Sequence, residues 1–311
     1  MKKYNKKKII LTTCVITFLI FTLCALISYD NSTVQPRTSI KKAKKHADDP
    51  TVSMVAVGDN IIHENVFKFA RNGNTYNFKP CYQNVDYYGE YKYSDLLSKL
   101  SNLATKNAIE IGLWNESFNG KYGWVLVKQT VKLKRPLLIG EKLTVSTRAK
   151  GERKIQYFRT YDLKVNDEVI GGIYSIWTLI DIEKRRIVRP QKVGISIPEC
   201  EEYPSFVEKY EPLLDIETKK VQTRKVSYSD IDLNKHMNNA RYLEWVMDLL
   251  PQEKKQDFFI DEMTMHYLKE IAPKSRVDLY YGQEDDCFKI EFKIDDQTHF
   301  VISGRFKEKK V

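Results

Sequence analysis

Asp232-Leu-Asn-Lys-His-Met-Asn-Asn-Ala-Arg-Tyr-Leu243 follows Asp86-Tyr-Tyr-Gly-Glu-Tyr-Lys-Tyr-Ser-Asp-Leu-Leu97 by 146 positions, and each stretch runs into a helical pattern. In the first, Leu96, Leu97, Leu100, Leu103, Ala104, Ala108 and Ile111 recur with the 3.6-residue period, Ser94 is the expected cap and Gly112 stands near the end. In the second, the pattern covers 240–250, with Asn239 as the expected cap and Pro251 as the stop. The chain therefore contains the same beginning twice.

The segments after the two helices are also alike. Runs rich in Val, Ile, Tyr and Thr predict strands over 122–134, 142–150, 155–165 and 169–181, with hairpin turns at Asn166-Asp167 and Lys150-Gly151-Glu152. The second half predicts a strand over 219–228 and further strands between 258 and 305. Thr130-Val-Lys-Leu-Lys-Arg-Pro136 matches Thr264-Met-His-Tyr-Leu-Lys-Glu270. The stretch 189–218, with Pro190, Pro198, Pro204 and Pro212, breaks the strand pattern and reads as a connector.

One helix and a meander cannot cover an apolar sheet face alone, whereas two such units can share one sheet around two helices. The expected fold is α+β, a tandem (double) hotdog whose antiparallel sheet wraps two helices. Its first unit spans 86–190, the connector 191–218 and the second unit 219–311.

Charge excludes one class of partner. The 311 residues carry a net +10, but residues 2–45 hold ten Lys/Arg against Asp30 alone, leaving 41 basic and 40 acidic residues elsewhere. No basic surface for nucleic acid is expected on the body. The five cysteines, Cys14, Cys24, Cys81, Cys200 and Cys287, form no Cys-x-x-Cys or Cys/His cluster, so neither zinc nor a disulfide framework is indicated, and no cofactor is expected. Gly-x-Ser-x-Gly and phosphate-loop motifs do not occur.

The beginning of the chain reads differently. Residues 1–8 are basic, 9–28 are uncharged and long enough to cross a bilayer, and 29–50 have the composition of a polar linker. A transmembrane anchor is expected, with the lysines in the cytoplasm. Val52-Ser-Met-Val-Ala-Val-Gly-Asp-Asn60, Ile61-Ile-His63 and Tyr76-Asn-Phe-Lys-Pro80 resemble the start of the poly-γ-glutamate capsule biosynthesis family. That resemblance covers about 35 residues within 51–85. Asp59 and His63 lack the distant partners a metal site needs, so the fragment is read as inactive.

The chemistry concentrates in the second unit. Asp232, Asn234 and His236 alternate just before a helix, and in extended chain alternate residues share a face. An acid, an amide and an imidazole there can bind water, orient it and move its proton. The same residues also suit helix capping and turns.

The Asp-x-Asn-x-His-x-Asn-Asn-x-x-Tyr motif of 232–242 resembles that of plant-type acyl-acyl carrier protein (acyl-ACP) thioesterases and their bacterial relatives. Trp124-Val-Leu, Ile139-Gly-Glu-Lys-Leu, Thr147, Arg159, Ser175-Ile-Trp177 and Asp181 agree with it, over about 86–307. The resemblance implies hydrolysis of fatty acyl-ACP thioesters, with Asp232, Asn234, His236 and Glu270 as the catalytic residues. Some relatives carry a cysteine after the glutamate; here Ile271 stands there, which leaves water activated by a carboxylate or attack by the carboxylate itself. The first unit offers Asp86, Gly89 and Pro136 at corresponding positions, so one site per chain is expected and the first unit shapes an acyl tunnel. His46, His266, His299 and Cys287 are read as lying outside the site.

The implied partners are acyl carrier protein bearing a fatty acyl chain, and the membrane through the leader; a homodimer is left open. Acyl-coenzyme A as substrate stays an alternative. So does a fused product, from a junction or gene-model error near Val85, in which neither part works. Its motive is a conflict of location: the carrier implies the cytoplasm, and the anchor exports the body. A final expectation concerns 73–82, the position of a first strand; its Gly, Asn and Pro80 disfavour a ladder, so the native strand is expected to be replaced and its place either vacant or filled by Thr75 to Val85 or by Val52 to Val57.

Overall fold

The apolar stripe of the first helical pattern does form a helix, α1 (Tyr93–Glu110), burying Leu96, Leu97, Leu100, Leu103, Ala104 and Ala108. The computed structural model describes residues 75–197 and 204–309. The expected leader, linker and most of the 51–85 segment, including Asp59 and His63, lie outside the described residues. Among the described residues no helix is long and apolar enough to cross a membrane.

Helix boundaries shift by a residue or two. Lys92, not Ser94, precedes α1, because the Leu96 N–H to Lys92 carbonyl bond closes a turn earlier, leaving Ser94 buried inside it. Tyr93 fastens that turn by donating to the Ile260 carbonyl at 2.7 Å. Gly112, at φ +78°, takes the left-handed position just past the helix. Helix α2 (Asn239–Leu249) is capped by the Asn238 carboxamide oxygen, which accepts from the Ala240 N–H at 2.8 Å, so the cap is Asn238 instead of Asn239.

Among the described residues eleven strands form one antiparallel sheet. The first unit supplies β1 (Thr75–Phe78), β2 (Tyr122–Leu133), β3 (Leu143–Arg153), β4 (Gln156–Val165), β5 (Glu168–Asp181) and the short β6 (Arg186–Ile187). The second supplies β7 (Lys219–Lys225), β8 (Phe258–Tyr267), β9 (Arg276–Glu284), β10 (Cys287–Ile294) and β11 (Gln297–Glu308), with a one-turn helix α3 (Lys254–Asp257) before β8. The order is β1-β3-β4-β5-β2-β8-β11-β10-β9-β7, with β6 beside β5. It reads as one unit followed by its own mirror in order, and the seam is β2 against β8. At its centre Thr130 faces Thr264, with their hydroxyls 3.2 Å apart. The pair aligned by sequence thus lies at the centre of the seam.

Two turn expectations separate. Asn166 and Asp167 both have positive φ, as a two-residue hairpin requires. Gly151, at φ +86°, marks a bulge inside β3; the hairpin instead turns at Lys154-Ile155. Of the alternatives for the first strand, the one observed is filling from within 75–85. Thr75–Phe78 pairs with β3 in the place that β7 holds beside β9, and buries Tyr76 and Phe78 against α1's side of the sheet. Alternation of Tyr76 and Phe78 outweighs the poor propensity of their neighbours, and Pro80 falls beyond the last paired residue.

Residues 204–218 cross the outer face of the sheet, as a connector should. Phe206 N–H bonds to Asp162 on β4 (2.8 Å), Glu211 N–H to the Thr130 hydroxyl (3.0 Å) and Leu214 N–H to the Ser303 hydroxyl on β11 (3.0 Å). These bonds satisfy polar groups that the strap itself buries. Gly282 permits the strap's close approach, since a Cβ there would lie 2.0 Å from the Glu217 carbonyl oxygen. On the inner face both helices and both halves of the sheet share one core, in which Leu100, Ile173, Leu243, Trp245, Phe288 and Phe300 are almost fully enclosed.

Candidate active site

The loop between β7 and α2 is built around two aspartates. Asp230 is 5% exposed; its carboxylate accepts from Ser227 N–H at 2.8 Å and from the Trp245 indole at 3.2 Å, while its carbonyl accepts from Asn238 N–H. It holds the loop to the adjoining helix. Asp232 folds the tip: Oδ1 accepts from Asn234 N–H (2.8 Å) and His236 N–H (3.4 Å), and its own N–H donates to the His236 carbonyl (3.0 Å). Lys235 stands at φ +64° in this turn.

The extended, one-face arrangement expected for 232–236 is therefore not the one adopted. A short carboxylate can capture backbone N–H groups two and four residues on, and this closes the chain into a turn. Asp232 both caps the loop and sits at the surface of the site.

Turning the loop sends His236 to Glu270, which ends the segment after β8. His236 Nε2 lies 3.1 Å from Glu270 Oε2. Met237 N–H donates to the Ile271 carbonyl at 2.9 Å, so the backbones on either side of the pair are also joined. Tyr242 hydrogen-bonds with the Ile271 backbone; burial, with Glu270 and Asp232 nearby, raises its phenol so that it stays protonated. Asn234 has an exposed side chain at the loop tip. Three of the four expected residues are thus drawn together, with Asn234 on their solvent side.

Two contributors were not expected. Arg185, in the tight turn after β5, forms an ion pair with the same Glu270 Oε2, so a first-unit residue reaches the second unit's site. His299, read as outside the site, holds the Glu270 backbone: Nδ1 donates to the Glu270 carbonyl at 3.0 Å, and the His299 carbonyl accepts from Leu268 and Lys269 N–H. Neither carries a local motif, because each arrives from a separate strand end. His266 stays apart, on β8 opposite Lys128 at the seam. Cys287 is a free thiol at the start of β10, remote in register from the loop. Among the described residues no three His, Cys, Asp or Glu side chains are grouped to hold a metal.

Three cavities share lining residues. A surface cleft is walled by Asp232, Asn238, Ser98 and Ala240. Ser98 and Ala240 also line a small void of about 20 Å³, together with Gln129, Tyr267, Ser101 and Trp177. Ser101 and Trp177 line in turn an apolar pocket between α1 and the first unit's strands, walled by Ala104, Ala108, Leu113, Trp114 and Trp124. Arg159, 5% exposed, is on that wall and bonds to Asn107 (2.6 Å) and Thr147 (3.0 Å).

Two hotdog units closed into one sheet, with a histidine–carboxylate pair in the second and a pocket in the first, define a tandem hotdog protein. Residues 73–193 match the acyl-ACP thioesterase N-terminal domain and residues 214–307 the C-terminal domain. The chain belongs to the acyl-ACP thioesterase family. The matched region begins at 73, so the segment Gly73 to Val85 lies within it.

Among solved structures the chain is similar to an acyl-ACP thioesterase from Bacteroides thetaiotaomicron, at 27% identity and TM-score 0.68, covering 75% of this chain and 97% of that one. The 12:0-ACP thioesterase of Umbellularia californica shares the fold at TM-score 0.65 and 15% identity, over 78% of this chain and 100% of that one. The chloroplastic oleoyl-acyl carrier protein thioesterase of Coriandrum sativum is 25% identical over 181 residues, 52% of this chain and 48% of the relative. The chain thus spans about half the length of that curated relative.

Proposed function

We propose that this protein hydrolyses fatty acyl thioesters carried on acyl carrier protein, releasing the free fatty acid and the carrier thiol. The observation that carries the reading is the His236–Glu270 pair, which stands between the loop before α2 and the strand end after Tyr267, while Ala240 and Tyr267 line a void that shares Ser101 and Trp177 with the apolar pocket. Family membership supports the same chemistry.

Glu270 is the better base of the two carboxylates, because Asp232 Oδ1 already accepts two backbone N–H bonds. Glu270, oriented by His236 and Arg185, takes a proton from water as the oxygen attacks the thioester carbonyl carbon. The C–S bond then breaks and the proton passes to the departing thiolate. Asp232 shapes the loop through Oδ1 and, with Asn234 and His236, orients water and the carbonyl oxygen. The pocket between α1 and the sheet takes the acyl chain.

Purified full-length protein should release thiol from acyl-ACP, and His236→Ala should abolish most of that release. Comparable or faster turnover of acyl-coenzyme A would favour the other carrier, and no turnover of either would refute the reading. Residues 9–28 are proposed to anchor the chain in the membrane; a reporter fused after Ser28 and found wholly soluble would overturn that.

A further inference from the structure

His299 takes no part in the hydrolysis as proposed, yet it holds three consecutive residues where the chain leaves the sheet for Glu270. The β8–β11 ladder ends at Tyr267 opposite Phe300. Its next rung is Leu268 against His299, and there the His299 carbonyl accepts from both Leu268 N–H (2.8 Å) and Lys269 N–H (3.1 Å). Lys269 bends away from the strand at this point. The half-buried imidazole reaches past the bend, and Nδ1 donates to the Glu270 carbonyl at 3.0 Å. A carbonyl only accepts, so Nδ1 carries the proton of this bond in the neutral ring and in the charged one alike.

The first unit builds the same rung without an imidazole. Aligning Thr130 with Thr264 sets Lys134 against Leu268 and Pro136 against Glu270. The ladder pairs Leu133–Gly171 and Tyr267–Phe300 then set Ile170 against His299. Lys134 N–H donates to the Ile170 carbonyl at 2.7 Å, the counterpart of the Leu268 bond. Ile170 is 1% exposed, and its side chain has nothing to donate. The Pro136 carbonyl accepts instead from the neighbouring Arg135 side chain at 3.0 Å. The fold thus closes this strand end with an aliphatic residue where no acid follows, and with histidine where Glu270 follows. Strand geometry alone does not call for an imidazole at 299.

Resting on the thioesterase reading, we propose that His299 is a positioning residue for the reaction, fixing the backbone of Glu270 so that its carboxylate stands at His236. The Glu270 side chain meets His236 Nε2 and Arg185, and the next carbonyl, that of Ile271, accepts from Met237 N–H at 2.9 Å. His299 supplies the hold on the other side of the same residue. The Glu270 side chain is 38% exposed, so its side-chain partners act in competition with water. Anchoring the backbone limits how far the carboxylate strays, and a misplacement of about 1 Å at a reacting group costs about 100-fold in rate.

The test compares the full-length wild type with His299→Ile, which installs the first unit's residue, and with His299→Asn, whose amide can donate in place of Nδ1. In His299→Ile, kcat for thiol release from acyl-ACP should fall roughly 10- to 100-fold with KM and the urea midpoint little changed, and His299→Asn should recover most of the loss. In a Glu270→Gln background, His299→Ile should cost no more than about twofold further, because the base it positions is already gone. Unchanged kcat in His299→Ile, equal losses in the two variants, or a full further loss in the Glu270→Gln background overturns the positioning role and leaves the thioesterase reading standing. The ring nitrogens of His236 give a readout that needs no turnover, since they report contact with Glu270. Their NMR signals should move in His299→Ile and return in His299→Asn; signals that stay in place refute the role. Signals that move and return, in a protein that hydrolyses no thioester, retain the role of His299 in placing Glu270 and refute the hydrolase.

Discussion

Replacing Glu270 by glutamine separates chemistry from stability. The carboxylate contacts His236 Nε2 at 3.1 Å and pairs with Arg185, and the side chains of Glu270, His236 and Arg185 are 38%, 26% and 65% exposed. Ion pairs this exposed contribute about 0–1 kcal/mol to folding. Glutamine has the same length and keeps one oxygen to accept from His236, so the unfolding free energy should change by less than about 1 kcal/mol. Activity should respond far more. An amide cannot take a proton from water, and loss of a positioned base costs about 100- to 10,000-fold, or about 2.7–5.5 kcal/mol of barrier. Steady-state thiol release from acyl-ACP, run beside urea unfolding of the same preparations, reads both quantities. A kcat within about threefold of the wild type would remove Glu270 as the base. Comparable losses in activity and stability would mean that Glu270 serves folding first.

Arg185→Ala should lower kcat about tenfold with little change in KM, because it loosens Glu270 without touching the pocket; a rise in KM alone would place Arg185 at carrier binding instead. Asp232→Asn, which preserves the acceptor of the loop turn, should still lose at least about 100-fold in turnover, and near-normal hydrolysis would reduce Asp232 to a turn residue. Cys287→Ala should retain activity, as measured by the same thiol assay. Gly282→Ala should destabilise by about 1–3 kcal/mol, seen as a lower urea midpoint, because the added methyl must push away the Glu217 backbone. Burial, with Lys128 alongside, lowers the His266 pKa in the fold, so the unfolded chain binds the extra proton. The stability His266 contributes is present above its ordinary pKa near 6.5 and is lost as pH falls through the lowered folded value. Melting temperature should drop between about pH 7 and pH 5 by more in the wild type than in His266→Asn.

Much of this protein was legible without coordinates. The helical stripe from Leu96 to Ala108, the strand runs, the Asn166-Asp167 turn and the 146-residue repeat depend on local periodicity, which backbone geometry converts directly into faces and pairs. Thr130 and Thr264, matched by sequence as equivalents in the two units, face each other across the seam. Asp232, His236 and Glu270 were readable because a motif and a strand-end match mark them, and the structure does bring them together.

The features that escaped depend on contacts between distant segments. Thr75–Phe78 was one of three alternatives for its place, and burial of Tyr76 and Phe78 beside β3 decides for it against weak local propensity. The loop's bend comes from Asp232 capturing its own backbone, a competition that alternation alone does not reveal. Arg185 and His299 reach Glu270 only because β5 and β11 end at the same side of one sheet, and nothing in their own neighbourhoods signals it. Sequence by itself determined the elements and the two-unit plan, since these are written in short-range patterns. Tertiary structure alone decided which strand ends meet at Glu270, because that depends on how the two units close about their seam.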